Sequence, residues 1–138
     1  MKTKIKIIKE SSKLVDKTEG KSLYGGKEEA IEFIEKNYPE TAEEFQRIQF
    51  EQYLLFCQKQ MDYGPTNISM GTPLATDSEK RLSLVGLIVR INDKVQRLLN
   101  LMVKNNREAQ NEPSIDAFKD LACYGIIAQI VQNGKWGK

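Results

Sequence analysis

The sequence predicts a mainly α-helical fold: a bundle of about four helices behind one short N-terminal β element. Three observations predict it. Apolar residues recur at helical steps of three and four through most of the chain. Pro39, Gly64-Pro65, Pro113 and Gly134 punctuate those stretches where helices stop or start. Only Lys4-Ile5-Lys6-Ile7 alternates with period two, the mark of a strand. At 138 residues the chain suits one compact domain able to bury a core without disulfides or metals.

Taken in order, the strand at Lys4–Ile7 needs a partner, because one strand cannot stand alone. Residues 10–26 are polar and contain Gly20, Gly25 and Gly26, so they read as a loop. A helix begins near Lys27, with Ala30, Ile31, Phe33 and Ile34 at helical spacing, and Pro39 ends it. A second runs from about Thr41 to Tyr63 and stops at Gly64-Pro65. Residues 64–76 form a connection longer than two antiparallel helices need, which marks it for function. Thr76 or Asp77 caps the longest helix, about 77–105. Ser114 caps the last, which runs to Asn133 before Gly134. Residues 1–44 carry the strand, loop and short helix, and residues 45–138 the helical core.

Composition narrows the chemistry. Apolar residues make up 40% and charged residues 29%, which is globular rather than disordered. With 21 basic and 19 acidic residues the net charge is +2, which argues against a dedicated nucleic-acid binder. The chain has no histidine, which removes imidazole acid–base chemistry, Ser-His-Asp and Cys-His nucleophiles and His-built zinc sites. Cys57 and Cys123 lie in apolar helical patterns and read as buried thiols. No stretch approaches the roughly 20 apolar residues of a membrane span, and the basic N-terminus lacks the apolar segment of a signal peptide. A cytoplasmic protein without a membrane partner is expected.

On the longest helix Arg90, Asp93, Arg97 and Asn100 step by three and four into a polar stripe, with Lys94 beside it. Val85, Ile88, Val95, Leu98, Leu99 and Met102 occupy the opposite side. The stripe reads either as a solvated face with an Asp93–Arg97 ion pair or as a phosphate grip. The like-charged Arg90–Lys94 pair favours an anion nearby. On the last helix Ile115, Phe118, Leu121, Ala122, Ile126 and Ile130 form one apolar side. Ala117, Tyr124, Ile127, Ala128 and Val131 form much of the other. Asp116 and Asp120 share a face at the edge of this apolar zone, where a carboxylate needs a cation. Two readings stay open. Asp120 pairs with Lys94 or Arg97, or Asp116 and Asp120 hold Mg²⁺ with Glu51 as a third carboxylate. Tyr63, Asn67, Tyr124 and Trp136 are candidates to contact a base or sugar, although a lone Trp more often packs a tail.

The segments KQMDYGPTNI (Lys59 to Ile68), RINDKVQRLLNL (Arg90 to Leu101) and DAFKDLACYGIIA (Asp116 to Ala128), with the closing NGKW, resemble the nucleotide modification associated domain 1 family. This is a mostly phage group, remotely similar to the all-α MazG-like NTP pyrophosphohydrolases. The resemblance covers about residues 45–136. It implies a nucleotide ligand and a helical fold. MazG-like enzymes hold Mg²⁺ through EExxE on one helix and ExxD on another. Here Glu51 stands without an EExxE motif, and Asp116 and Asp120 form DxxxD. Three functions follow as expectations. One is a Mg²⁺-dependent nucleotide phosphohydrolase, with Asp116, Asp120 and Glu51 on the metal and Arg90, Lys94 and Arg97 on phosphate. Another is a non-catalytic sponge that sequesters a nucleotide or a nucleotide-derived immune signal. The last is a structural oligomer. The strand and the apolar last helix both call for partners, so a homo-oligomer is expected.

Overall fold

The computed structural model describes residues 26–138. The expected strand at Lys4–Ile7 lies outside the described residues, among which there is no strand. The chain divides into two compact units, Met1–Glu43 and Glu44–Lys138.

In the first unit α1 spans Lys27–Asn37. It starts from Gly26, whose φ of 89° lies in the left-handed region open to glycine. None of its residues is buried. Next, α2 runs from Pro39 to Tyr63. Pro39 therefore opens a helix as well as closing one: at the first helical position its missing N–H is no loss.

In the second unit α2 ends at Gly64, with φ 63°. The expected loop contains a short helix, α3 (Thr66–Ser69), followed by Met70 and Leu74, both left-handed at φ 53°. Then α4 covers Asp77–Leu98. Its cap is Thr76, which accepts from the Glu79 N–H at 3.2 Å while the Glu79 carboxylate accepts from the Thr76 N–H at 3.1 Å. Beyond Leu98 the helix widens into a π-helical turn, Leu99–Lys104. Finally α5 runs Ser114–Gln132. Ser114 is its first helical residue rather than its cap, and Pro113 holds the preceding position without a side-chain hydrogen bond. Gly134 follows with φ 64°.

The core is built where α4 and α5 pack, from Leu87, Ile127 and Val131. Ile68 and Leu74 seal it from the connection and Trp136 from the C-terminal side. Ser83 is buried there and donates to the Ile68 carbonyl at 2.6 Å, tying α4 to α3. From α2, Phe56 packs against this cluster. On α5 the core side is the one carrying Ala117, Ile127 and Val131, and Ile115, Phe118 and Ile126 remain exposed. Trp136 donates to the Pro65 carbonyl at 2.9 Å and meets Phe56 edge-on at 6.1 Å, so it is a packing residue.

On its inner side α4 carries Leu84 and Leu87 in the core, continued by charged residues. Its polar stripe turns inward at Arg90 and Lys94, both partly buried, while Val85, Ile88, Val95, Leu99 and Met102 are exposed. Both cysteines are free thiols of intermediate exposure rather than buried ones. Among the described residues no helix is long and apolar enough to cross a membrane.

Candidate functional site

A cleft of about 410 Å³ opens where α2, α3, α4 and α5 converge. Each element contributes through its own periodicity. On α2, Phe56, Lys59, Gln60 and Tyr63 fall on one face by steps of three and four. On α5, Asp120, Cys123, Tyr124 and Ile127 do the same, and α3 presents Asn67 and α4 Arg90. The cleft thus combines two cations, one carboxylate, two amides, two phenols and a thiol over an apolar floor.

Charge is concentrated at Asp120. Lys94 reaches its Oδ2 at 2.8 Å and Lys59 its Oδ1 at 3.3 Å. Burial works to raise the Asp120 carboxyl, but the hydrogen bond from Lys94 and the charge of Lys59 outweigh it and hold the group below the ordinary aspartate range. The same bond raises the Lys94 ammonium above its ordinary value. Burial pushes the Cys123 thiol up, which makes it a poor nucleophile.

Arg90 donates to the Asn67 carbonyl at 3.0 Å, which braces α3 against α4. The Asn67 side chain is different. Its Oδ1 is buried and lacks a hydrogen-bond partner among the described residues. Orphaned acceptors of this kind are uncommon in folded proteins and call for a donor.

The residues expected on phosphate therefore divide. Arg90 lines the cleft, Lys94 reaches it through Asp120, and Arg97 is not part of its wall. Arg97 donates to the Glu112 backbone carbonyl instead of pairing with Asp93, and its Nη1 is buried without a partner among the described residues. Of the expected base contacts, Tyr63, Asn67 and Tyr124 all line the cleft.

The expected metal ligands are not brought together. Glu51 is held by Arg47, which also grips Glu44, in an exposed trio along α2. Asp116 is half-exposed beside Lys119 at 3.8 Å, and Asp120 is neutralised by two lysines. Among the described residues no group of three His, Cys, Asp or Glu side chains is placed to hold a metal ion. The donor set does not fit Mg²⁺, because one carboxylate is already ion-paired at each of the three places.

Sequence reasoning missed Gln60 and Cys123 as cleft residues and gave Lys59 no role. The helical step of four from Lys59 to Tyr63 was the available signal. It also missed the Glu44–Arg47–Glu51 trio, whose spacing of three and four announces it. No family model, curated protein or solved structure matches the chain.

Proposed function

We propose that this protein binds a nucleotide, or a nucleotide-derived signal, in the α2–α5 cleft and holds it without turnover. The observation that carries the reading is the buried Asn67 Oδ1, without a hydrogen-bond partner among the described residues, in a cleft that also offers Arg90, Lys59 and two tyrosines. A heterocycle supplies what that acceptor lacks, an N–H in the plane of a ring. Tyr63 and Tyr124 supply faces or hydroxyls for the ring and sugar. Lys59 and Arg90 supply positive charge for phosphate oxygens. The cleft volume falls within the span of small-molecule sites, about 300–1,000 Å³.

Retention is favoured over hydrolysis because the three carboxylates that would share Mg²⁺ stand in separate ion pairs. The resemblance to the nucleotide modification associated domain 1 family supports the ligand class. A phage setting, in which such a protein depletes a nucleotide signal of its host, accords with that resemblance.

Calorimetry with a panel of nucleotides and cyclic nucleotides, with and without Mg²⁺, tests the proposal when joined to recovery of the ligand after denaturation. Binding without added metal and recovery of unchanged ligand are expected. Asn67→Ala should weaken binding at least tenfold while leaving the melting temperature of the free protein nearly unchanged, since it removes a group with no partner. Metal-dependent appearance of a cleaved nucleotide would overturn the retention reading. Absence of binding across the panel would overturn the ligand class.

A further inference from the structure

The phosphate a cleft accepts is limited by the charge it has left to offer. Lys59, Arg90 and Lys94 gather at the α2–α5 cleft against the single carboxylate of Asp120. Lys94 makes the shorter contact, 2.8 Å, with its side chain 25% exposed, and so serves as the counter-charge of Asp120. Lys59 makes the longer one, 3.3 Å, with its side chain 47% exposed. Exposed ion pairs contribute little, so Lys59 is the partner that a ligand draws away. Arg90 gives one bond to the Asn67 carbonyl at 3.0 Å, and a guanidinium has five N–H donors in all. With Asp120 matched by Lys94, two positive charges remain for a ligand.

Two charges match one terminal phosphate. A phosphate monoester carries about −1.5 to −2 charges at pH 7. The added phosphates of a triphosphate would face the Asp120 carboxylate with no further cation among the described lining residues. Triphosphate sites meet that excess with Mg²⁺, held by one or two carboxylates and the phosphates themselves. In this cleft Asp120 is already paired with two lysines. A cyclic phosphodiester errs the other way, since its single charge leaves one cation unmatched. Size agrees: about 410 Å³ lies toward the lower end of the span of small-molecule sites, about 300–1,000 Å³.

We propose that the ligand of this cleft is a nucleoside monophosphate, held as the phosphate dianion by Lys59 and Arg90, with Asp120 limiting the charge admitted. The inference rests on the nucleotide reading above and narrows it.

The protonation of that phosphate can be read without interference from the protein. The chain has no histidine, the one side chain whose ordinary pKa lies between pH 5 and 8. The charged and titratable groups at the cleft are Lys59 and Tyr63 from α2, Arg90 and Lys94 from α4, and Asp120, Cys123 and Tyr124 from α5. From α3 comes Asn67, which does not titrate. Carboxylates ordinarily titrate below pH 5, and thiols, phenols, ammonium and guanidinium groups above pH 7. Asp120 is shifted down, and Lys94 and Cys123 up, so each moves further from that interval. A change in affinity between pH 5 and 7 therefore belongs to the second phosphate proton, lost near pH 6.

The test is calorimetry on the full chain without Mg²⁺, using nucleosides and their 5′-monophosphates, 3′,5′-cyclic monophosphates and 5′-triphosphates. For the base that binds best, the monophosphate should bind at least tenfold more tightly than the other three forms. Its affinity should fall about tenfold from pH 7 to pH 5, while that of the nucleoside stays level. Lys59→Met should lower monophosphate affinity at least tenfold and leave nucleoside affinity unchanged. A triphosphate or cyclic form that binds as tightly as the monophosphate overturns this inference and leaves the nucleotide reading standing. A monophosphate affinity indifferent to pH, or to Lys59→Met, does the same. Absence of binding by all four forms overturns both.

Discussion

Replacing Asp120 by Asn separates two accounts of the same carboxylate by the sign of a stability change. If Asp120 shared a metal with Asp116, removing its charge would relieve repulsion in the unliganded protein and stabilise it. In the structure it faces Lys94 at 2.8 Å and Lys59 at 3.3 Å, so the same change leaves two ammonium groups without a counter-charge. Opposite unit charges 4 Å apart attract by about 4 kcal/mol at an effective dielectric of about 20. Desolvation and partial exposure offset much of that. The Asp120 side chain is 18% exposed and that of Lys94 25%, between exposed pairs worth about 0.2–1 kcal/mol and buried ones whose breakage costs about 3–5 kcal/mol. A loss of about 2 kcal/mol is expected, lowering the melting temperature of a chain this size by about 6–10 °C. The assay is a pair of thermal and urea melts without ligand. Lys59→Met, which removes the longer and more exposed contact, should cost about 0.5 kcal/mol. An Asp120→Asn protein as stable as the parent, or more so, would refute the ion-pair account.

Arg97→Ala should lower stability by about 1–2 kcal/mol in urea melts, through loss of the grip on the Glu112 carbonyl, and leave nucleotide affinity unchanged in calorimetry. The pH profile follows from Asp120. Its folded-state pKa is depressed, so its contribution is full above the unfolded value of about 3.9 and is lost as pH falls through the folded value. Melting temperatures between pH 6 and pH 2 should fall less steeply in Asp120→Asn than in the parent. The Lys94 ammonium is raised, so its share persists below about pH 10.4 and disappears as pH climbs through the folded value. Thr76→Ala should cost about 1 kcal/mol by opening the capping box at the start of α4, measured by the same melts.

Local rules made much of this fold legible. Gly64, Gly134 and the Thr76 cap act where turn and capping chemistry place them, because those effects are settled within a few residues. The π-helical turn at Leu99–Lys104 was not legible, since nothing in LNLMVK departs from ordinary helical composition. Helix orientation was the larger miss. Periodicity on α4 separates an apolar from a polar side but does not say which one meets the core of the same chain. Arg90 and Lys94 turn inward because Asn67 and Asp120, distant in sequence, supply their partners. The same reason explains the site. Tyr63, Asn67, Arg90 and Tyr124 converge as expected from neighbouring helices, whereas Glu51 and Arg97 follow partners of their own, Arg47 and the Glu112 carbonyl.

The indole of Trp136 turns one contact into an instrument. It is the single tryptophan of the chain, 8% exposed, and its hydrogen bond to Pro65 joins positions 71 residues apart. Far-ultraviolet ellipticity comes from helical bonds that span four residues and outlast loose packing. The emission of this indole registers a single long-range closure. A titration in which the emission shifts red before the ellipticity falls would identify a state with formed helices and an open joint between the C-terminal tail and the α2–α3 corner. Coincident curves would identify one cooperative transition.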